Sequence, residues 1–146
     1  MSGITNPAEP YFKDGIWGWD AAAWQKLALL WGYTEQWTVV GEETLAANGN
    51  FFFTTAALDA EYVYKLEFAS LHNNAGPRGR ADIDIMTSGQ NNYLVWHTAL
   101  PQWEPLAWTG SVTLVTGDVV RFYIRSCIAG DVVTYALYGY RMKITS

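Results

Sequence analysis

Apolar and polar residues trade places at nearly every step from about residue 39 to the C-terminus, and this period of two is what most narrows the folds open to the chain. Glu61-Tyr62-Val63-Tyr64-Lys65-Leu66-Glu67-Phe68 sets Tyr62, Tyr64, Leu66 and Phe68 on one face and two glutamates and a lysine on the other, the pattern of a half-buried strand. Arg80-Ala81-Asp82-Ile83-Asp84-Ile85 repeats it, with Ile83 and Ile85 inward and Asp82 and Asp84 expected to face solvent. Between the two lies His72-Asn73-Asn74-Ala75-Gly76-Pro77-Arg78-Gly79, a run rich in the residues that tight turns require. Phe51 to Thr55, Tyr93 to Trp96 and Val112 to Val115 are further β-rich runs bounded by Gly, Asn, Ser or Pro. Short strands at this spacing, with no helical stretch among them, predict an all-β antiparallel sandwich.

Near the C-terminus Gly117-Asp118-Val119-Val120 recurs thirteen residues later as Gly130-Asp131-Val132-Val133. Each copy reads as a turn feeding a strand. The first strand is expected to bury Val120, Phe122 and Ile124 and to turn Arg121 and Arg125 outward; the second runs to Ile144 with Tyr138, Tyr140, Met142 and Ile144 sharing a side. A strand this long and apolar is an aggregation hazard at a sheet edge, so a central or covered position is predicted for it.

Tryptophan is spread unevenly. Trp17, Trp19, Trp24, Trp31 and Trp37 fall in the first quarter of the 146 residues, whereas the rest holds only Trp96, Trp103 and Trp108. We therefore divide the chain into an aromatic-rich arm, residues 1–38, and a sandwich body, residues 39–146. Within the arm, Asp20 to Trp31 fits a helix capped by Asp20 with Trp24, Leu27 and Trp31 on one stripe. It also fits a hairpin pairing Ile16–Trp19 with Trp24–Leu29, although Ala21, Ala22 and Ala23 are poor turn residues.

Half the residues are apolar and 16% charged, which excludes a disordered chain. Nine basic residues against fourteen acidic leave a formal charge of −5, so neither nucleic acid nor an anionic membrane is an expected partner. The first ten residues lack the basic start and apolar run of a secretory signal, and no apolar stretch approaches the roughly 20 residues of a membrane span. Asp82 and Asp84 form an Asp-x-Asp pair of a kind that ligates calcium, but their place on an alternating strand favours plain solvent-facing carboxylates. His72 and His97 have no Glu-x-x-His or His-x-His pattern to join them, and Cys127 has no neighbouring His to activate it and reads as a buried structural thiol. Arg78 and Arg80 fit interface salt bridges or a solvated loop alike. Asp14, Asp20, Glu42, Glu43 and Glu104 carry no distinguishing context. No cofactor, metal or catalytic residue is expected, and the chain is not expected to be an enzyme.

The tryptophans of the arm thus carry most of the functional information. Burying five indoles is worth on the order of 20 kcal/mol gross, as an upper bound. They can be covered by the sandwich itself, by other protein chains or by sugar rings. Depletion of Lys and Glu beside Trp and Tyr is the composition of an interface core.

The segment Gly117 to Ile124, followed by Ala129-Gly130-Asp131 and Tyr138-Gly139-Tyr140-Arg141-Met142, resembles the tumour-necrosis-factor and complement-globular-head type of jelly roll. Such domains form homotrimers in which tyrosines of the C-terminal strand approach the threefold axis, and Tyr138 and Tyr140 are the matching positions. Trp19-Asp20-Ala21-Ala22-Ala23-Trp24-Gln25-Lys26-Leu27 resembles Trp-Asp-Gly-x-x-Trp-x-Lys-Leu segments of phage structural proteins, with the turn glycine missing. Together the layout is similar to trimeric decoration, or cement, proteins of phage capsids. The resemblance implies a jelly-roll sandwich, a homotrimer, the major capsid protein as partner and a place on the capsid surface of the virion. Trp17, Trp19, Trp24 and Trp31 are then the arm contacts, and Tyr138, Tyr140 and Met142 the trimer core. A receptor-binding tip of a tail fibre or spike, and a carbohydrate-binding module with a glycan partner, are the alternative expectations.

Overall fold

The computed structural model describes residues 35–75 and 77–144. The chain divides into two units, Met1–Glu35 and Gln36–Ser146. Trp17, Trp19, Trp24 and Trp31, and with them the choice between helix and hairpin for residues 16–31, lie outside the described residues.

Eight strands follow one another: β1 (Glu35–Thr44), β2 (Gly49–Thr54), β3 (Tyr62–Asn73), β4 (Ala81–Thr87), β5 (Gln90–His97), β6 (Leu106–Leu114), β7 (Asp118–Cys127) and β8 (Val132–Lys143). They form two four-stranded sheets ordered β1-β8-β3-β6 and β2-β7-β4-β5. Neighbours in sequence alternate between sheets, except β4 and β5, which pair as a hairpin, and the first and last strands pair, which is the order of a jelly roll. The predicted all-β antiparallel sandwich of jelly-roll type is what the chain forms. As expected for its apolar length, β8 lies inside its sheet, between β1 and β3.

The core is supplied by the inward positions of both sheets. Phe51, Leu66, Leu71, Ile83, Phe122, Ile124 and Leu137 are fully buried, and Val120 joins Phe122 and Ile124 as the alternation predicts. Tyr135 stacks on Phe53 with ring centroids 4.2 Å apart and meets Phe122 at 5.6 Å, tying β8 to the opposite sheet. Trp37 belongs to β1 and stands edge-on to Tyr64 at 4.9 Å. Cys127 is buried as expected, and desolvation pushes its thiol pKa up.

Three sequence expectations are corrected. First, Phe68 does not share a face with Tyr64 and Leu66. The register of β3 against both β6 and β8 shifts between Leu66 and Phe68, so the bulge puts Ala69 and Leu71 inward and Phe68 outward, where it meets Tyr138 at 5.8 Å. Second, Asp82 and Asp84 are not solvent-facing; they are buried, for reasons given below. Third, Arg78 is not part of a solvated loop but pairs within the fold. Its Nε and Nη2 donate to Asp131 Oδ2 and Oδ1 at 2.7 and 2.8 Å, in a nearly buried fork.

That fork explains the repeated Gly-Asp. In each copy the Asp N–H donates to the carbonyl three residues back, Val115 or Ile128, at 3.0 Å, and its carboxylate accepts that residue's own N–H at 3.0 or 2.9 Å. Gly117 and Gly130 hold φ of +97° and +94°, a region costly for any residue with a Cβ. The second copy also accepts from Asn73 Nδ2 at 3.1 Å, so one carboxylate fastens the β3–β4 loop to the β7–β8 turn.

Candidate functional site

The outward face of β2-β7-β4-β5 gathers the charged and aromatic residues that the sequence scatters. β4 sits between β7 and β5, so its outward residues Asp82 and Asp84 are flanked on both sides. Across from them on β7 stand Tyr123 and Arg121. On β5 stand Trp96 and Tyr93, three positions apart yet on one face, because the pairing shifts between Ile83 and Asp84. Beyond β7, Phe52 of β2 pairs with Tyr123, their rings edge-on at 6.0 Å.

Long side chains from these neighbours fold over the two aspartates and take them out of water. Arg121 donates from Nη2 and Nε to Asp84 Oδ2 at 2.8 and 3.2 Å, and Arg80 donates from Nε to Asp82 Oδ2 at 3.1 Å. Each guanidinium also lies against a ring: Arg80 is 4.8 Å from the Tyr93 centroid and 5.2 Å from that of Trp96, and Arg121 is 5.4 Å from Phe52. Arg125 lies 5.8 Å from the Tyr123 centroid and reaches into solvent. Phe52, Tyr93 and Trp96 remain about half exposed.

Two features mark the face as more than a covered sheet. Asp82 Oδ1 and Asp84 Oδ1 are buried and accept no hydrogen bond. Beside them Arg80, Asp82, Asn91, Tyr93, Arg121, Tyr123 and Arg125 line a depression of about 260 Å³. Desolvation, and then the neighbouring Asp84 carboxyl, raise the Asp82 pKa above the ordinary carboxylate range against the pull of Arg80. Three guanidinium groups at the rim work against a cation here, and among the described residues no group of three His, Cys, Asp or Glu is placed to hold a metal.

The sequence-predicted site residues that are described lie on the other sheet. Tyr138 and Tyr140 point outward from β8 with 41% and 43% of their surface exposed, and Met142 is half-buried. His72 hydrogen-bonds Thr134 Oγ1 and packs on Trp103, while His97 Nδ1 accepts the Ala99 N–H at 3.2 Å. His97 and Glu104 share a recess of about 110 Å³ walled mainly by leucine and proline, well under the roughly 300 Å³ of small-molecule sites.

No protein-family model matches the chain, and no characterised protein shows significant sequence similarity to it. Among solved structures, a chain of the disulfide-linked pili of Bacillus endospore appendages is 14% identical, with 74% of this chain and 88% of that one covered at a TM-score of 0.43. A CBM4 chain is 13% identical, with 73% and 83% covered at a TM-score of 0.30.

The Asp82–Asp84 face was missed in the sequence because alternation alone assigns outward carboxylates to water. The available signal was joint: Arg80 two residues before Asp82, and Arg121 and Arg125 outward on another strand. Only the strand order makes these neighbours.

Proposed function

We propose that the protein is a structural virion protein that assembles as a homotrimer and decorates a phage-like capsid, seated on the major capsid protein at the capsid surface. The observation that carries this reading is the aromatic outward face of β1-β8-β3-β6. Tyr138 and Tyr140 project from an interior strand with about two-fifths of each residue exposed, Phe68 is brought beside Tyr138 by the β3 bulge, and Val40 of β1 is 62% exposed. A sheet face meant for water carries polar residues at such positions. Covering what remains exposed of each tyrosine is worth roughly 2 kcal/mol per ring, repeated in every subunit. Trp17, Trp19, Trp24 and Trp31 supply, in this reading, the arm contacts to the coat. A shell under internal pressure gains from trimers that each bridge several coat subunits, since linked weak contacts reinforce one another.

Titration of undecorated shells with the purified protein tests the reading. Saturation at whole trimers, with a trimer seen by light scattering, is the expected result. A monomer that ignores the shells refutes it, and specific labelling of host cells instead reassigns the protein to receptor binding.

A further inference from the structure

We infer that the outward face of β2-β7-β4-β5 is a binding site for an acidic saccharide, a hydroxylated ring bearing a carboxylate, seated over Asp82 between Trp96, Tyr93 and Tyr123. This goes beyond the decoration reading and uses the opposite sheet, so either can fail alone.

Three observations converge on that ligand class. The floor holds Asp82, a residue 3% exposed whose Oδ1 is buried and without a partner, and next to it on β4 Asp84 Oδ1 is unpartnered too. Buried acceptors left empty are costly, and a ligand rich in O–H groups is what satisfies them. Tyr93 in the wall and Trp96 beside it on β5 are half exposed, giving the C–H face of a sugar ring a surface to lie on. The rim is cationic. Three of the five arginines of a chain whose net charge is −5 line this one depression, against one carboxyl group, that of Asp82. Arg80 and Arg121 are committed to Asp82 and Asp84, whereas Arg125 makes no ion pair with another described residue and is exposed. It is the group free to fork onto a ligand carboxylate. An acidic side chain of a partner protein would answer Arg125 but would bring no hydroxyl hydrogens for the aspartate oxygens.

Calorimetric titration of the full chain with digalacturonate and sialyllactose, against the neutral digalacturonate methyl ester and lactose, tests the assignment. Both acidic sugars, or one of them, are expected to bind at least tenfold more tightly than the neutral counterpart. Binding is expected to weaken between 0.05 and 0.5 M salt, and Arg125→Gln and Trp96→Ala are each expected to lose about tenfold. Arg125 and Trp96 are exposed, and an unchanged thermal midpoint in each variant confirms an intact fold. No binding of any of the four sugars overturns the site. Equal binding of acidic and neutral forms, or undiminished binding by Arg125→Gln, overturns the carboxylate assignment. Competition by an Asp-Asp dipeptide as strong as by digalacturonate reassigns the face to a protein partner.

Discussion

Two aspartates in this sandwich respond to pH with opposite signs. At Asp131 the hydrogen bond from Arg78, set against desolvation, holds the carboxyl well below the usual carboxylate range, with the Ile128 N–H and Asn73 adding to it. A carboxylate whose folded pKa lies under its unfolded value of about 3.9 stabilises the fold above that value and loses the contribution as pH falls through the folded one. Asp131→Asn leaves Arg78 facing a neutral amide and should cost about 3 kcal/mol in urea unfolding at pH 7. The gap between variant and parent should narrow below about pH 4. At Asp82 burial and Asp84 raise the pKa, so the folded chain holds the proton more tightly than the unfolded one. Stability there is lost as pH rises from the ordinary carboxylate value through the raised one. Asp82→Asn should therefore flatten the pH dependence of the thermal midpoint above about pH 4 without loss at pH 7, while abolishing saccharide binding. In the sequence Asp131 read as part of a Gly-Asp turn and Asp82 as a solvent-facing strand residue, and neither reading carried the sign of its pKa shift, which only neighbours in space supply.

At the scale of elements, the bulges decide more than the strands do. The shift in β3 moves Phe68 to the outer face, and the shift between β4 and β5 brings Tyr93 and Trp96 together. Bulges leave little trace in a sequence, because one extra residue in a strand is indistinguishable from ordinary alternation until its partner is known. Gly139 is the counterpart of the β3 bulge. It pairs with Leu66, and a Cβ placed on it would lie 2.0 Å from the Lys65 carbonyl oxygen, an atom of the backbone that cannot swing away. Gly139→Ala should therefore part β8 from β3 and cost about 3 kcal/mol or more, read as a lowered urea midpoint or failure to fold. Gly130→Ala, whose Cβ meets nothing, should cost only the backbone strain of a positive φ, roughly 1 to 2 kcal/mol.

For the whole molecule, the two outward faces divide the proposed labour: aromatic packing on β1-β8-β3-β6, polar recognition on β2-β7-β4-β5. Tyr138→Ser combined with Tyr140→Ser tests their independence. Exposed side chains of this kind usually move stability by about 0.5 kcal/mol or less. The double variant should thus unfold at the parent midpoint and bind digalacturonate as the parent does, yet scatter light as a monomer. A lowered midpoint with the subunit number unchanged would instead make the two tyrosines part of the monomer's own packing.

The strands from β2 onward, the inward residues of β7, the turn chemistry of both Gly-Asp copies and the interior place of β8 were legible in the sequence, whereas β1 was not. Each is a local property: alternation, turn propensity and apolar length act among residues adjacent along the chain. Strand order is not local. Arg121 and Asp84 are 37 residues apart, and Arg78 and Asp131 53 apart, and their union depends on how the jelly roll interleaves its sheets. Sequence therefore determined that this chain is a sandwich with paired Gly-Asp turns and a long apolar last strand. Only the tertiary structure decided which carboxylates lose their water, because burial of a charge is set by side chains arriving from other strands.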